Sequence, residues 1–100
     1  MATYKTIDKN GNEIIPKIAL HPGEVLNNEL LAREIKKAIF AAKLGMKPGH
    51  LSELLHGKRH ISASLAIKLE KLLEVRAEYW LRLQMYYDLF MEREKFRAAA

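Results

Sequence analysis

From His21 onward apolar residues recur at helical intervals, and each run stops at a recognisable breaker. Pro22 suits a first helical position, where its missing N–H is not needed, and Val25, Leu26 and Leu30 follow on one apolar face. A second helix is predicted from about Lys36 to Leu44, with Ile39, Phe40 and Lys43–Leu44 toward its end. Gly45 stops it, because a left-handed residue is needed to turn sharply there. Pro48 opens a third helix whose inward residues are Leu51, Leu54 and Leu55 and which ends before Gly57. Ser62 is the expected N-cap of a fourth, with Leu65, Ala66, Leu69, Leu72 and Leu73 inward. The last predicted helix runs from about Ala77 to Arg93 or beyond. The pattern describes a compact all-α domain of five helices joined by short connections.

Residues 1–20 read differently. Tyr4–Asp8 and Asn12–Ile15 flank an Asn10-Gly11 pair, and Asn-Gly between β-branched residues is a hairpin signal, since both turn positions tolerate positive φ. An isolated two-stranded hairpin is marginal, so this stretch is expected as a short β-hairpin packed on the domain or as a mobile arm. The expected organisation is an N-terminal arm or hairpin over residues 1–20 and a helical domain over residues 21–97.

Composition narrows the function. The 100 residues are 49% hydrophobic and 29% charged, a globular balance. A chain of this size buries only roughly 60 to 70% of its unfolded surface, so a large enclosed active-site cavity would be costly. The absence of Cys removes disulfides, thiolate metal ligands and cysteine nucleophiles together. No stretch approaches the ~20 apolar residues of a membrane span, and the first residues lack the apolar core of a secretory signal. The expectation is a soluble cytoplasmic chain with no membrane partner. Catalysis is not expected, nor a cofactor or metal: His56 and His60 straddle Gly57 without a carboxylate pair, there is no phosphate-binding glycine loop, and Ser52 and Ser64 lack a nearby base–acid set.

Charge is concentrated. The net +5 of the whole chain lies within residues 36–60, where Lys36, Lys37, Lys43, Lys47, Lys58 and Arg59 face the single acid Glu53. His50, His56 and His60 lie in the same window. Such a distribution is expected of a surface that meets polyphosphate, although a solvated basic face would show it too.

The segment from Phe40 to Arg59 supplies the architecture for that surface. Ala41 is small where two helices must cross closely, Gly45 makes the turn and Met46 plugs the gap between the helices. Leu51, Leu54 and Leu55 anchor the second helix to the core. These are the requirements of a helix-turn-helix, whose second helix enters the DNA major groove by its N-terminal end. Here that end is Lys47-Pro48-Gly49-His50, basic and stripped of bulk.

The segment resembles the helix-turn-helix of the lambda-repressor-like (Xre) family, whose characteristic ending is close to Leu-Ser-Glu-Leu-Leu-His-Gly-Lys-Arg at 51–59. His21-Pro22-Gly23-Glu24 and Glu78-Tyr79-Trp80-Leu81-Arg82-Leu83-Gln84 further resemble the HigA (VapI-like) antitoxins. The resemblance covers about residues 21–90. It implies a five-helix lambda-repressor-like DNA-binding domain, a homodimer, binding to double-stranded operator DNA of its own operon, and neutralisation of a HigB-type ribonuclease toxin. The chain also departs from the family. Lys36 and Lys37 stand where a small hydroxyl residue and then Gln are usual, and Lys47-Pro48-Gly49 replaces a Ser-rich start. Glu74 and Ala77 replace a glycine and a proline, which suggests a less sharply broken junction between the last two helices.

Roles follow from position. Lys36, Lys37, Lys58 and Arg59 are expected to reach backbone phosphates, contacts that fix register without specifying sequence. Lys47, His50 and Glu53 are the best base-edge candidates: Lys toward guanine, His as donor or acceptor, Glu toward a cytosine amine. Ser52 is a weaker candidate, and Gly49 permits close approach. Beyond the helix-turn-helix, the run from Tyr79 to Met91 has only Arg82, Gln84 and Asp88 as polar residues, and a helix apolar nearly all round must be covered on two sides. Trp80, Leu83, Tyr87 and Phe90 or Met91 can close the domain core, leaving Tyr79, Tyr86 and Leu89 for a dimer contact. Two other classes fit the sequence: an Xre-type repressor without a toxin partner, and a protein-interaction module that binds a toxin with little affinity for DNA.

Overall fold

The computed structural model describes Thr6–Ile7, Glu13–Ile14 and residues 19–99. Five helices follow one another: α1 (Pro22–Ala32), α2 (Lys37–Leu44), α3 (Pro48–Leu55), α4 (Ala63–Leu73) and α5 (Ala77–Ala99). Ahead of them β1 (Thr6–Ile7) and β2 (Glu13–Ile14) pair antiparallel, Thr6 opposite Ile14 and Ile7 opposite Glu13. The Asn10-Gly11 turn expected between them lies outside the described residues.

The helix ends explain the element order. Helices α1, α2 and α3 each finish in a Schellman motif, with a left-handed residue just past the helix and two backbone bonds folding the chain back. At α2 that residue is Gly45 (φ 70°), with Gly45 N–H donating to the Ala42 carbonyl and Met46 N–H to the Ala41 carbonyl. At α3 it is Gly57 (φ 77°), with Gly57 N–H on Leu54 O and Lys58 N–H on Glu53 O. At α1 the same geometry is built on Glu34 (φ 56°), with Glu34 N–H on Leu31 O and Ile35 N–H on Leu30 O. Helix α4 ends on a left-handed Glu74 (φ 58°, ψ 33°) whose N–H donates to Glu70 O. The α4–α5 junction is therefore broken, not smoothed: Glu74 itself takes the conformation that a glycine would take at lower cost. The side chain of Glu70 completes the corner by accepting from Ala77 N–H at 2.8 Å.

All five helices contribute to one core. Leu26 and Leu30 of α1, Phe40, Ala41 and Leu44 of α2, Leu51, Leu54 and Leu55 of α3, Ala66, Leu69 and Leu73 of α4, Trp80 of α5 and Ile61 of the intervening loop are all buried. Each large apolar side chain so placed contributes about 1.5 to 3 kcal/mol of transfer free energy. Val25 and Leu65, expected inward, are half-buried, whereas Ile39 and Leu72 are exposed because they sit one residue off the inward stripe. On α5 the stripe is Trp80, Leu83, Gln84 and Tyr87; the polar Gln84 is buried, a position the apolar pattern does not reveal. Its Oε1 accepts from Ile61 N–H at 2.7 Å and its Nε2 donates to Asp88 Oδ1 at 3.0 Å.

The tightest point is where α1 begins. A Cβ on Gly23 would lie 1.7 Å from the Leu54 carbonyl oxygen, so the α1 backbone rests directly on the end of α3. His21, just ahead, is buried; its Nδ1 accepts from Gly23 N–H at 2.9 Å and caps α1. That bond fixes the neutral ring with its proton on Nε2. The ring meets Tyr87 of α5 edge-on at 4.7 Å, and its other side lies against Gly57.

Three outcomes follow from this packing. Gly23→Ala is expected to lower stability by about 3 kcal/mol, the upper range of overpacking, because the atom it strikes is backbone. Glu74→Gly is expected to raise it by about 1 kcal/mol through relief of the left-handed strain, or roughly 4 to 8 °C in Tm; thermal melts of the two variants should move in opposite directions. Burial and the neighbouring His60 hold the His21 pKa below its ordinary 6.5, against the opposing pull of Glu24 and Asp88. A lowered histidine pKa means the unfolded chain binds the extra proton more readily, so this stability is complete above 6.5 and is lost as pH falls from there toward the folded-state value. Melts between about pH 7.5 and 5.5 should show Tm falling with acid, and His21→Asn, which caps without titrating, should flatten the slope.

Candidate nucleic-acid interface

Four helix starts divide into two kinds. Helices α1 and α4 are capped by side chains: His21 as above, and Ser62, whose Oγ accepts from Leu65 N–H at 3.2 Å. Helices α2 and α3 begin at Lys36 and Lys47, both in extended backbone and neither giving a side-chain cap. A lysine at the positive end of a helix dipole is electrostatically unfavourable in the free chain, and the first-turn N–H groups have no intrahelical acceptor. An anion placed there relieves both.

These two starts belong to the two helices joined by the turn at Gly45–Lys47, the arrangement anticipated for a helix-turn-helix. Ala41 is fully buried at the α2–α3 crossing and Met46 packs half-buried beneath it. Helix α3 turns Leu51, Leu54 and Leu55 inward, which leaves Gly49, His50, Ser52 and Glu53 on its exposed side. A Cβ on Gly49 would meet nothing, so the bare backbone near the start of α3 opens directly to the exterior. Lys36, Lys37, Lys47, Lys58 and Arg59 are exposed as well.

Beside α3 lies an open groove of about 600 Å³. Lys47, His50 and Arg59 line it together with His60, Ser62, Ser64 and Lys68, whereas Lys36, Lys37, Gly49, Ser52, Glu53 and Lys58 lie outside it. Lys68 and Ser64 are absent from the sequence reading of the site. Their signal is a spacing of four on the outer side of α4, and Lys68 Nζ donates to the Leu44 carbonyl at the end of α2 at 3.3 Å.

Two of the expected site residues pair with each other. Arg59 Nε donates to Glu53 Oε1 at 2.8 Å. That hydrogen bond, then the Arg59 charge, with smaller help from His50 and Lys58, holds the Glu53 carboxyl below its ordinary range. Ser52 is engaged through its backbone, its carbonyl lying 2.7 Å from His56 Nδ1. Of the residues expected at a dimer contact, Tyr86 and Leu89 are exposed on α5, with Met85 and Met91 beside them and Phe96 farther along. Tyr79 packs half-buried against the core, its ring edge-on to Trp80 at 5.4 Å. Among the described residues no cluster of His, Asp or Glu could hold a metal ion, and no helix is long and apolar enough to cross a membrane.

Known proteins share this arrangement. The helix-turn-helix family model matches residues 29–80. Virulence-associated protein I of Dichelobacter nodosus is 35% identical over 77 residues, covering 76% of this chain and 71% of that protein. The antitoxin HigA of Pseudomonas aeruginosa, solved with the higBA promoter, superposes with a TM-score of 0.73 at 30% identity, covering 78% of this chain and 86% of that one. An addiction module antidote protein of a HigA family from Coxiella burnetii gives 0.70 at 34% identity, covering 76% of this chain and 84% of that one. With α2 and α3 arranged as a helix-turn-helix, and with these matches spanning most of the chain, it belongs to the Xre-like helix-turn-helix family, in its HigA and VapI-like antitoxin branch.

Proposed function

We propose that the chain is a sequence-specific DNA-binding antitoxin of a type II toxin–antitoxin module, which represses its own operon as a dimer and neutralises a HigB-type ribonuclease toxin. The observation that carries the DNA half is the pair of uncapped, lysine-headed helix starts within residues 36–60, the stretch that holds the whole net charge. Lys36 and Lys37 at the head of α2, and Lys58 and Arg59 after α3, contact phosphates and set the register. Lys47, His50 and Glu53 face base edges, with Ser52 as an auxiliary, and Gly49 lets the α3 backbone approach the duplex closely. The promoter-bound HigA at 30% identity supports an operator as the ligand.

The exposed Tyr86 and Leu89 of α5 are the proposed two-fold contact, continued inward by Tyr79. One recognition helix reads too few base pairs, whereas two related by a dyad about 34 Å apart read a palindrome on one face of the duplex. The toxin assignment rests on the antitoxin and antidote relatives.

The test combines copurification with the product of the adjacent gene and titration of a duplex spanning the DNA upstream of the operon at several salt concentrations. Log affinity should fall linearly with log salt, with a slope of about −0.9 per phosphate contact. Lys47→Gln with Arg59→Gln should weaken binding and flatten that slope, and the complex should carry two chains per palindrome. Salt-independent binding refutes the DNA assignment, and a chain that binds its upstream DNA but captures no neighbouring gene product is a plain regulator.

A further inference from the structure

Glu53 stands out on the recognition surface as the single acid among residues 36–60, six of which are Lys or Arg. It is tied to the following loop twice over. Its backbone carbonyl accepts from Lys58 N–H at 2.9 Å, and its carboxylate accepts from Arg59 Nε at 2.8 Å. Both side chains are about half exposed, so the ion pair faces outward and contributes little to stability. Arg59 also lines the groove with Lys47 and His50.

Building on the DNA-binding reading above, we propose that Glu53 is a specificity-determining residue that acts through Arg59 by exchange of partners. In the free chain Glu53 occupies the guanidinium and removes one cation from the face. On DNA, a phosphate that takes the Nε–Nη edge of Arg59 displaces Glu53, whose carboxylate is then enclosed between helix and duplex. Where the groove offers a base-edge donor, such as a cytosine amine, the carboxylate gains a new partner. Against other sequences it gains none, and an enclosed acceptor without a donor is costly. The pair therefore penalises wrong DNA more than right DNA, whereas a bare Arg59 would strengthen contact with both.

The test titrates the full chain against the upstream duplex and a scrambled duplex of equal length at several salt concentrations, as wild type, Glu53→Gln, Arg59→Gln and the double variant. Glu53→Gln should bind the scrambled duplex more tightly, steepen its salt slope by about 0.9, and lower the ratio of upstream to scrambled affinity about tenfold. In the Arg59→Gln background the same substitution should leave the salt slope on the scrambled duplex nearly unchanged, since there is no guanidinium to release. An unchanged ratio in Glu53→Gln overturns the proposal, as does an equal steepening of the salt slope in both backgrounds, which would make Glu53 act on DNA independently of Arg59. A wild-type chain with no preference for the upstream duplex overturns the DNA-binding reading instead, and the proposal with it. Thermal melts of the variants should match the wild type, which separates these outcomes from misfolding.

Discussion

The contact on which the architecture depends is the crossing of α1 over the end of α3, where the absence of a side chain on Gly23 lets one backbone rest on the Leu54 carbonyl. Around it gather His21, which caps α1 through Gly23 N–H, Gly57, which turns the chain after α3, and Tyr87, which brings α5 to the same spot. The junction holds α3 by its C-terminal end. Leu51, Leu54 and Leu55 extend the grip along its inner side, and the opposite end, Lys47 to His50, projects free. A helix clamped at its tail presents its head without obstruction, as entry into a major groove would require.

The capping pattern sorts the helices by task. His21 and Ser62 close helices whose work is packing, where unsatisfied N–H groups would only cost stability. Lys36 and Lys47 head the two helices of the helix-turn-helix, and there the chain tolerates an uncompensated positive end. Residues that are mildly wrong for the isolated protein are those expected where a ligand completes the structure. The Glu53–Arg59 pair fits the same logic, since it satisfies both partners until something else does so.

Most of the fold was legible because its punctuation uses residues with few alternatives. Pro22, Gly45, Pro48, Gly57 and Ser62 each mark a helix boundary that the structure reproduces. The breaks before the second helix and between the last two were legible, but the left-handed conformations of Glu34 and Glu74 were not, because glutamate is a good helix former; the residues that follow them, Ile35 and Val75, pack against the core. Gln84 escaped for a related reason: periodicity registers only apolar positions, and a polar side chain is buried when a backbone N–H far off in sequence, here that of Ile61, needs an acceptor. The cationic face was legible as a charge count, since Lys and Arg stay exposed wherever they fall. The groove with Ser64 and Lys68, and the coupling of Glu53 to Arg59, were not, because both depend on how the loop after Gly57 folds back.

Gln84 has one more consequence. Ile61 lies between the reading helix and α4, while Gln84 sits on α5 between Trp80 and the exposed Tyr86 and Leu89. Hydrocarbon contacts let helices slip by fractions of an ångström, but a 2.7 Å hydrogen bond from a backbone N–H is directional and does not. The side chain thus works as a tie rod between the last helix and the loop that joins α3 to α4. A rotation of α5 about its own axis would withdraw the acceptor of the Ile61 N–H.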